Sequence, residues 1–119
     1  MTVEEFKASC YTKKGVSEGF PFDDDTLVMK VGTKMFACGS LSRKPFKMNL
    51  KCDPEMVYNL RDSIEEIEPG WHMNKAHWNT VNLEGNLDRD KIEWLIDLSY
   101  DLVFKKLKKS EKDEINSGS

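Results

Sequence analysis

The feature that most constrains the fold is the strict alternation of apolar and polar residues over positions 46–52. The apolar set is Phe46, Met48, Leu50 and Cys52. The polar set is Lys47, Asn49 and Lys51. Successive side chains of a β-strand point to opposite faces of its sheet, so this spacing predicts a strand with one buried face and one lysine-bearing face. The chain must therefore contain a sheet that is covered on one side.

Two further strands precede this one. Residues 26–31 are rich in β-branched and large apolar side chains, which favours a strand. Gly32 and Thr33 suit a two-residue hairpin loop, and residues 34–41 form the returning strand. Residues 42–45 contain proline and serine and are typical of a second turn. The sequence thus predicts three consecutive antiparallel strands.

Three helices are predicted around these strands, and each has a start signal. Thr2 and Glu5 form a capping box at the start of a short first helix. The Asp-Pro pair at 53–54 starts a second helix, with aspartate as cap and proline in the first turn. Asp88 caps the longest helix, whose apolar stripe extends to about Leu107 and is wide enough to cover much of a sheet face.

A fourth strand is expected over residues 78–83, so the predicted order is α-β-β-β-α-β-α. That order indicates an α+β fold, a two-layer sandwich in which an antiparallel sheet packs on helices. One face of the sheet carries the helices and the other is at least partly open. Residues 1–109 are predicted to form a single domain, and the polar residues 110–119 a disordered tail.

The composition excludes several classes of protein. The 119 residues contain no apolar run near the roughly 20 residues of a membrane span. The acidic N-terminus is unlike a signal peptide. Three cysteines, an odd number at wide spacing, argue against a disulfide framework and a zinc site. We therefore expect a cytoplasmic protein with reduced, partly buried thiols and without a membrane partner.

Positive charge is concentrated on the predicted sheet, although the net charge is −3. Residues 26–52 and 70–83 contain seven basic residues and no acid, whereas the rest of the chain has 11 basic and 21 acidic residues. The seven cations are Lys30, Lys34, Arg43, Lys44, Lys47, Lys51 and Lys75. They are candidates for contacts with the phosphates of a nucleic acid. The alternative is that strand exteriors carry lysine to prevent edge pairing.

The loop at residues 20–25 combines two phenylalanines, a proline and three aspartates. Proline and aspartate favour a turn, and no further ligands are spaced as in a calcium-binding loop. We expect a solvated turn, with Phe20 and Phe22 packed against the edge of the core.

The segment 69–78 holds both histidines and two of the three tryptophans. His72 and His77 are five residues apart, which does not place both on one metal from either a helix or a strand. The segment lacks a further ligand and a nucleophile motif, so no metal, cofactor or catalytic residue is predicted. The chain is expected to be non-enzymatic.

Two interpretations of this segment remain open. In one, Trp71 and Trp78 pack in the core or at its rim, and nearby histidine and asparagine satisfy polar groups. In the other, tryptophan or histidine is a stacking platform, Asn74 an amide reader and Lys75 a phosphate contact. Such residues suit a nucleic acid, a small anion or a peptide. The candidate set is Trp71, His72, Asn74, Lys75, His77 and Trp78.

Four stretches resemble the MmcQ/YjbR family. Residues 69–78 read PGWHMNKAHW, which is similar to the family signature, and residues 20–23, 49–54 and 99–103 agree in the family's order. The resemblance implies a small bacterial cytoplasmic protein with a fold like that of CyaY and secretion chaperones. It also implies DNA binding through a "double-wing" motif. Ala76 stands where the family often has a basic residue.

Three hypotheses follow. The leading one is a non-enzymatic DNA-binding protein that uses the cationic sheet and its hairpins. The second is a chaperone-like module that binds a protein or peptide in an apolar groove on the open face. The third is a small-ligand site, which requires His72, Asn74, Lys75 and His77 to converge on a pocket.

Overall fold

The computed structural model describes residues 1–118, which form four helices and six strands. The helices are α1 (Val3–Tyr11), α2 (Val57–Ser63), α3 (Arg89–Lys105) and α4 (Lys109–Ser117). The strands are β1 (Val16–Gly19), β2 (Thr26–Val31), β3 (Lys34–Ser40), β4 (Lys47–Lys51), β5 (Ile67–Pro69) and β6 (Trp78–Asn82). The strands form one antiparallel sheet in the order β1-β2-β3-β4-β6-β5.

The predicted α+β architecture is confirmed. Met48 and Leu50 of β4 are buried in the core that α1 and α3 cover, as the alternation of residues 46–52 requires. Ile92 and Ile96 of α3 belong to the same core. Both predicted caps are present. Thr2 accepts a hydrogen bond from the Glu5 amide, and Asp88 accepts one from the Lys91 amide.

Helix α3 is fixed to the sheet at an irregularity in β3. Met29 pairs with Ala37 and Lys30 pairs with Met35, so Phe36 has no paired residue in β2. The Ser99 hydroxyl donates to the Phe36 carbonyl and accepts from the Lys51 amide at 2.8 Å. The hydroxyl thus bonds one backbone group of β3 at the irregularity and one backbone group of β4, and so joins α3 to both strands.

The two edge strands, β1 and β5, were not predicted. They contain four and three residues, too few to show a period, and both hold polar residues. They are extended because β1 pairs with β2, and β5 pairs with β6. Proline has no backbone N–H group. Pro69 is tolerated in β5 because an edge strand forms hydrogen bonds to a neighbouring strand on one side only.

Two sequence predictions were wrong in part. Helix α2 begins at Val57 rather than at residue 53, because Asp53 caps a separate turn by accepting from the Glu55 amide at 2.9 Å. The tail predicted to be disordered instead contains α4. Glu111 accepts from the Thr33 amide at 3.1 Å, and Ile115 packs against the core. Ser119 of that tail lies outside the described residues.

The cysteines Cys10, Cys38 and Cys52 are free and buried, as expected for reduced thiols. Within residues 1–118, no helix has the length and apolar character needed to cross a bilayer.

Candidate functional site

The candidate site lies on the sheet surface that faces away from α1 and α3, called here the outer face. Cross-strand pairs define it: Cys38 faces Asn49, Asn49 faces Thr80, and Lys51 faces Trp78. Neighbouring outer-face positions are Val28, Lys30 and Lys47. The outer face therefore combines polar groups, lysines and one buried tryptophan.

Residues 70–77 form a folded loop, called here the signature loop, at the end of the outer face. The Gly70 amide donates to the Trp78 carbonyl at 3.0 Å. A Cβ atom on Gly70 would lie 2.8 Å from the Trp78 Cβ atom, so only glycine fits there. The Asn74 carbonyl accepts from His77 and Trp78, and its side chain accepts from Ala76. The two oxygen atoms of Asn74 therefore hold a turn.

Two basic side chains brace the signature loop from within. The Lys75 ammonium donates to the Gly70 carbonyl at 2.8 Å. Arg61 of α2 donates to the Asn79 side chain at 2.6 Å and to the Trp78 carbonyl at 3.1 Å, and also reaches the Lys75 carbonyl. Lys75 is consequently a structural contact rather than a free cation. Arg61 was missed as a site-building residue because its partners lie 14 to 18 positions away.

A polar pair on the sheet anchors the start of the signature loop. The Trp71 backbone amide donates to the Thr80 hydroxyl at 2.9 Å. The Trp71 carbonyl accepts from the side-chain amide of Asn49 at 3.2 Å. Thr80 in turn donates to the Asn49 side-chain oxygen. Both side chains are buried and hydrogen-bonded, so together they fix the position of the Trp71 backbone.

The two tryptophans of the signature differ in environment. Trp78 is 8% exposed and lies under the Lys51 ammonium, whereas Trp71 is 48% exposed. The Arg43 guanidinium lies 4.2 Å from the centre of the Trp71 ring, within the range of a cation–π contact. The ring centre of the next residue, His72, lies 4.2 Å from the Trp71 ring centre. His72 has a positive φ of 59°. Trp71 is thus an exposed aromatic surface held by neighbours.

Asp25 positions the turn that carries Arg43. Its carboxylate accepts from the Ser42 amide at 2.8 Å and from the hydroxyls of Ser42 and Ser40. The Ser40 hydroxyl also accepts from the Arg43 amide at 3.2 Å. These hydrogen bonds, that of Ser40 first, lower the pKa of Asp25 below its usual value. Asp23 and Asp25 therefore organise turns, in agreement with the turn predicted for this loop.

A cavity of about 290 Å³ opens on the outer face between the signature loop and the 20–25 loop. Phe22, Cys38, Asn49, Trp71 and His72 are among its lining residues. The expectation that Phe20 and Phe22 pack against the core is wrong. They are 44% and 68% exposed, because the 20–25 loop extends past the edge of the core.

The structure separates the seven predicted cations into three groups. Lys47 is paired with Glu68 at 3.3 Å, and Lys75 is used inside the signature loop. Within residues 1–118, the other five have no carboxylate within 4.0 Å. They are Lys30, Lys34, Arg43, Lys44 and Lys51.

Lys51 lies in a locally cationic environment. Burial lowers the pKa of its ammonium, and the positive charges of Lys106 and Lys34 lower it further. Lys106 follows α3 and Lys34 begins β3, so three cations lie close together at this end of the sheet and make it attractive to an anion.

The convergence required by the small-ligand hypothesis is absent in the form predicted. His72 lines the cavity, but Asn74 and Lys75 are used in loop contacts, and His77 is exposed outside the cavity lining. Within residues 1–118, no three histidine, cysteine or acidic side chains are grouped to hold a metal. The cavity instead brings together Met35, Cys38 and Met73, which sequence spacing did not relate.

These features define a class of small α+β proteins in which helices cover one sheet face and a folded loop partly covers the other. The chain belongs to the YjbR family, whose family model matches residues 11–102. The YjbR protein of Escherichia coli K12, described as uncharacterised, is 34% identical over 100 residues, or 84% of this chain and 85% of the relative. The uncharacterised Bacillus subtilis protein YyaQ is 44% identical over 56 residues, 47% of each chain.

Solved structures agree with this assignment. A Deinococcus radiodurans protein with the domain DUF419 superposes with a TM-score of 0.89 and is 39% identical, covering 97% of this chain and 88% of that one. A Pseudomonas syringae protein superposes with a TM-score of 0.73 at 28% identity, covering 86% and 98%. The fold is therefore shared within the family.

Proposed function

We propose that this chain is a non-enzymatic nucleic-acid-binding protein that uses its outer face. The observation that carries the proposal is the stack of the Arg43 guanidinium on the exposed Trp71 ring at 4.2 Å. An aromatic ring beside a cation is a suitable platform for a nucleobase and its phosphate. Lys30 and Lys51, which have no carboxylate partner within residues 1–118, are strand residues of the same outer face.

The cations are spread along β3 in a way that suits an extended polyanion. Lys34 is the first residue of β3, while Arg43 and Lys44 follow its last residue. A strand of seven residues is about 24 Å long, which corresponds to about seven nucleotides of one strand of B-form DNA. Lys34 pairs with the core residue Val31, so its side chain points to the helix-covered face. Lys30 and Lys51 would contact phosphates near that end of β3, and Arg43 and Lys44 would contact them at the other end.

The charge distribution also limits where a nucleic acid would lie. Lys47 borders a surface depression that Glu65, Glu66 and Glu68 also line. Such a cluster of carboxylates repels phosphate, so the β5 edge is unsuitable. The proposed path therefore runs over β2, β3 and β4, and leaves β5 outside it.

Lysine contacts with phosphates position a nucleic acid without specifying its sequence, whereas stacking on Trp71 favours unpaired bases. We therefore expect single-stranded oligonucleotides to bind more tightly than duplexes, with little sequence preference and with affinity that falls steeply as salt is raised.

The test is a fluorescence-anisotropy titration of labelled single-stranded and duplex DNA at low and moderate salt. Trp71→Ala should lower single-strand affinity by roughly 5–150-fold, the equivalent of about 1–3 kcal/mol for one stacked base. The slope of log affinity against log salt concentration reports the number of phosphate contacts, and Lys51→Gln should reduce that number by about one. Lys109→Gln on α4, away from the outer face, is the matched control and should leave binding unchanged. Absence of binding to both DNA forms at low salt would overturn the proposal.

A second candidate is favoured by exposed aromatic groups, of which Phe22 and Trp71 line the cavity. Phe20, Phe22 and Trp71 are all more than 40% exposed, as in a site for an apolar peptide segment. Peptide binding driven by apolar contact would vary little with salt and would weaken in Phe22→Ser. DNA binding that depends on Lys51 and on salt would instead support the first candidate.

A further inference from the structure

We infer that the cavity on the outer face binds a soft monovalent metal ion, of the Cu(I) type, through the sulfur atoms of Cys38 and Met73. Cys38 is a β3 residue and Met73 belongs to the signature loop, 35 positions away along the chain. The fold brings a thiol and a thioether together in one cavity. Thiolate and thioether sulfurs are the ligands that select Cu(I).

The spacing of the two sulfur atoms fits a shared metal. The Cys38 Sγ atom lies 4.0 Å from the Met73 Sδ atom. Two sulfurs that each lie about 2.3 Å from a metal, at a trigonal angle, are separated by about 4.0 Å. Little movement of either backbone segment is therefore needed to accommodate the ion between them.

Binding requires the Cys38 thiol to lose its proton. In the metal-free protein that thiol donates toward Met73, so the proton occupies the direction in which the metal would bind. The Asn49 side-chain amide donates to the Cys38 sulfur at 3.7 Å, a hydrogen bond that favours the thiolate form. On binding, the sulfur forms a bond to Cu(I) and the proton passes to solvent.

A third donor is available at the same cavity. Met35 and His72 are also lining residues, and their side chains carry a thioether and an imidazole. Methionine is unbranched and adapts its shape, and imidazole is also a copper ligand. None of the lining residues is an aspartate or glutamate. Hard cations such as Mg²⁺, which prefer oxygen ligands, are therefore disfavoured there.

The test is an anaerobic titration of the folded protein with Cu(I), in competition with a chromophoric Cu(I) chelator. One Cu(I) per chain and a new thiolate-to-metal ultraviolet absorption are expected. Cys38→Ser should abolish both, and Met73→Leu should weaken binding at least about tenfold, as removal of even an outer-shell partner does. Cys52→Ser is the matched control because that buried cysteine belongs to the core, and it should leave binding unchanged.

Three outcomes would overturn the inference. One is equal binding by the wild type and Cys38→Ser. Another is equal binding by folded and urea-unfolded protein, which would mean that cysteine thiols bind Cu(I) without the folded cavity. The third is full affinity in the double variant Met35→Leu/His72→Gln, which would exclude a third protein ligand and with it the trigonal site. Far-ultraviolet circular dichroism of each variant separates lost binding from lost folding. DNA binding is measured without metal, so failure here leaves the nucleic-acid proposal unaffected.

Discussion

The two faces of strand β4 show two different ways in which a sheet surface is organised. On the core face, Met48 and Leu50 are buried among apolar side chains and need no specific partner. On the outer face, Asn49 is also buried, but it is held by named hydrogen bonds to the Trp71 backbone and Thr80. Burial of apolar area stabilises the first face, whereas pairwise polar contacts shape the second. The core face therefore contributes mainly to the stability of the fold, whereas the outer face fixes the position of the Trp71 backbone.

The largest expected effect is on the core face. Phe36→Ala removes a fully buried ring that makes an edge-to-face contact with Tyr100 at 5.6 Å. We expect the free energy of unfolding to fall by about 3–5 kcal/mol, because a large cavity remains. Urea denaturation followed by circular dichroism measures this. Phe22→Ala on the outer side should change the value by less than about 0.5 kcal/mol. Equal losses in the two variants would contradict the division between the faces.

A smaller effect is expected from the buried polar pair. Asn49→Ala removes the side-chain donor to the Trp71 carbonyl and the acceptor of the Thr80 hydroxyl, which keeps only its bond from the Trp71 amide. We expect the free energy of unfolding to fall by about 1–3 kcal/mol. The substitution should also release Trp71 from Arg43 and change the tryptophan fluorescence of the folded protein. Asn86→Ala in the exposed turn before α3 is the control. Unchanged fluorescence in Asn49→Ala would mean that other contacts suffice to hold the loop.

The smallest effect concerns acid pH at the turn that carries Arg43. Hydrogen bonds lower the pKa of Asp25 in the folded chain, so its carboxylate stabilises the fold above the unfolded pKa of about 4. That contribution is lost as the pH falls from about 4 through the folded pKa. The stability difference between wild type and Asp25→Asn should therefore be present at neutral pH and disappear in acid. Urea denaturation of both proteins over that pH range measures this difference, and a difference that persists in acid would contradict the prediction.

Much of the fold was predictable because it depends on local patterns. The alternation over 46–52 predicted which side chains of β4 enter the core, and Thr2 and Asp88 marked two helix starts. The two edge strands were not predictable, since only pairing with β2 and β6 makes them extended. Helix α4 was missed because its sequence is polar, and its contacts to Thr33 and the core come from residues far away in the chain.

The candidate site was predicted less completely. The sequence identified Trp71, His72 and the excess of cations on the sheet strands. It did not reveal that Lys47 is neutralised by Glu68 or that Lys75 serves the loop. Residue type reports the charge of a side chain, but its partner depends on which segments meet in space.

By itself, the sequence determined the α+β class, the buried side of β4 and the family, because each depends on residues close together in the chain or on a linear motif. Only the tertiary structure decided which side chains share the outer face. The Arg43–Trp71 stack and the Cys38–Met73 sulfur pair join segments 28 and 35 positions apart. Contacts over such separations exist only after the sheet has formed and the signature loop has folded onto its outer face.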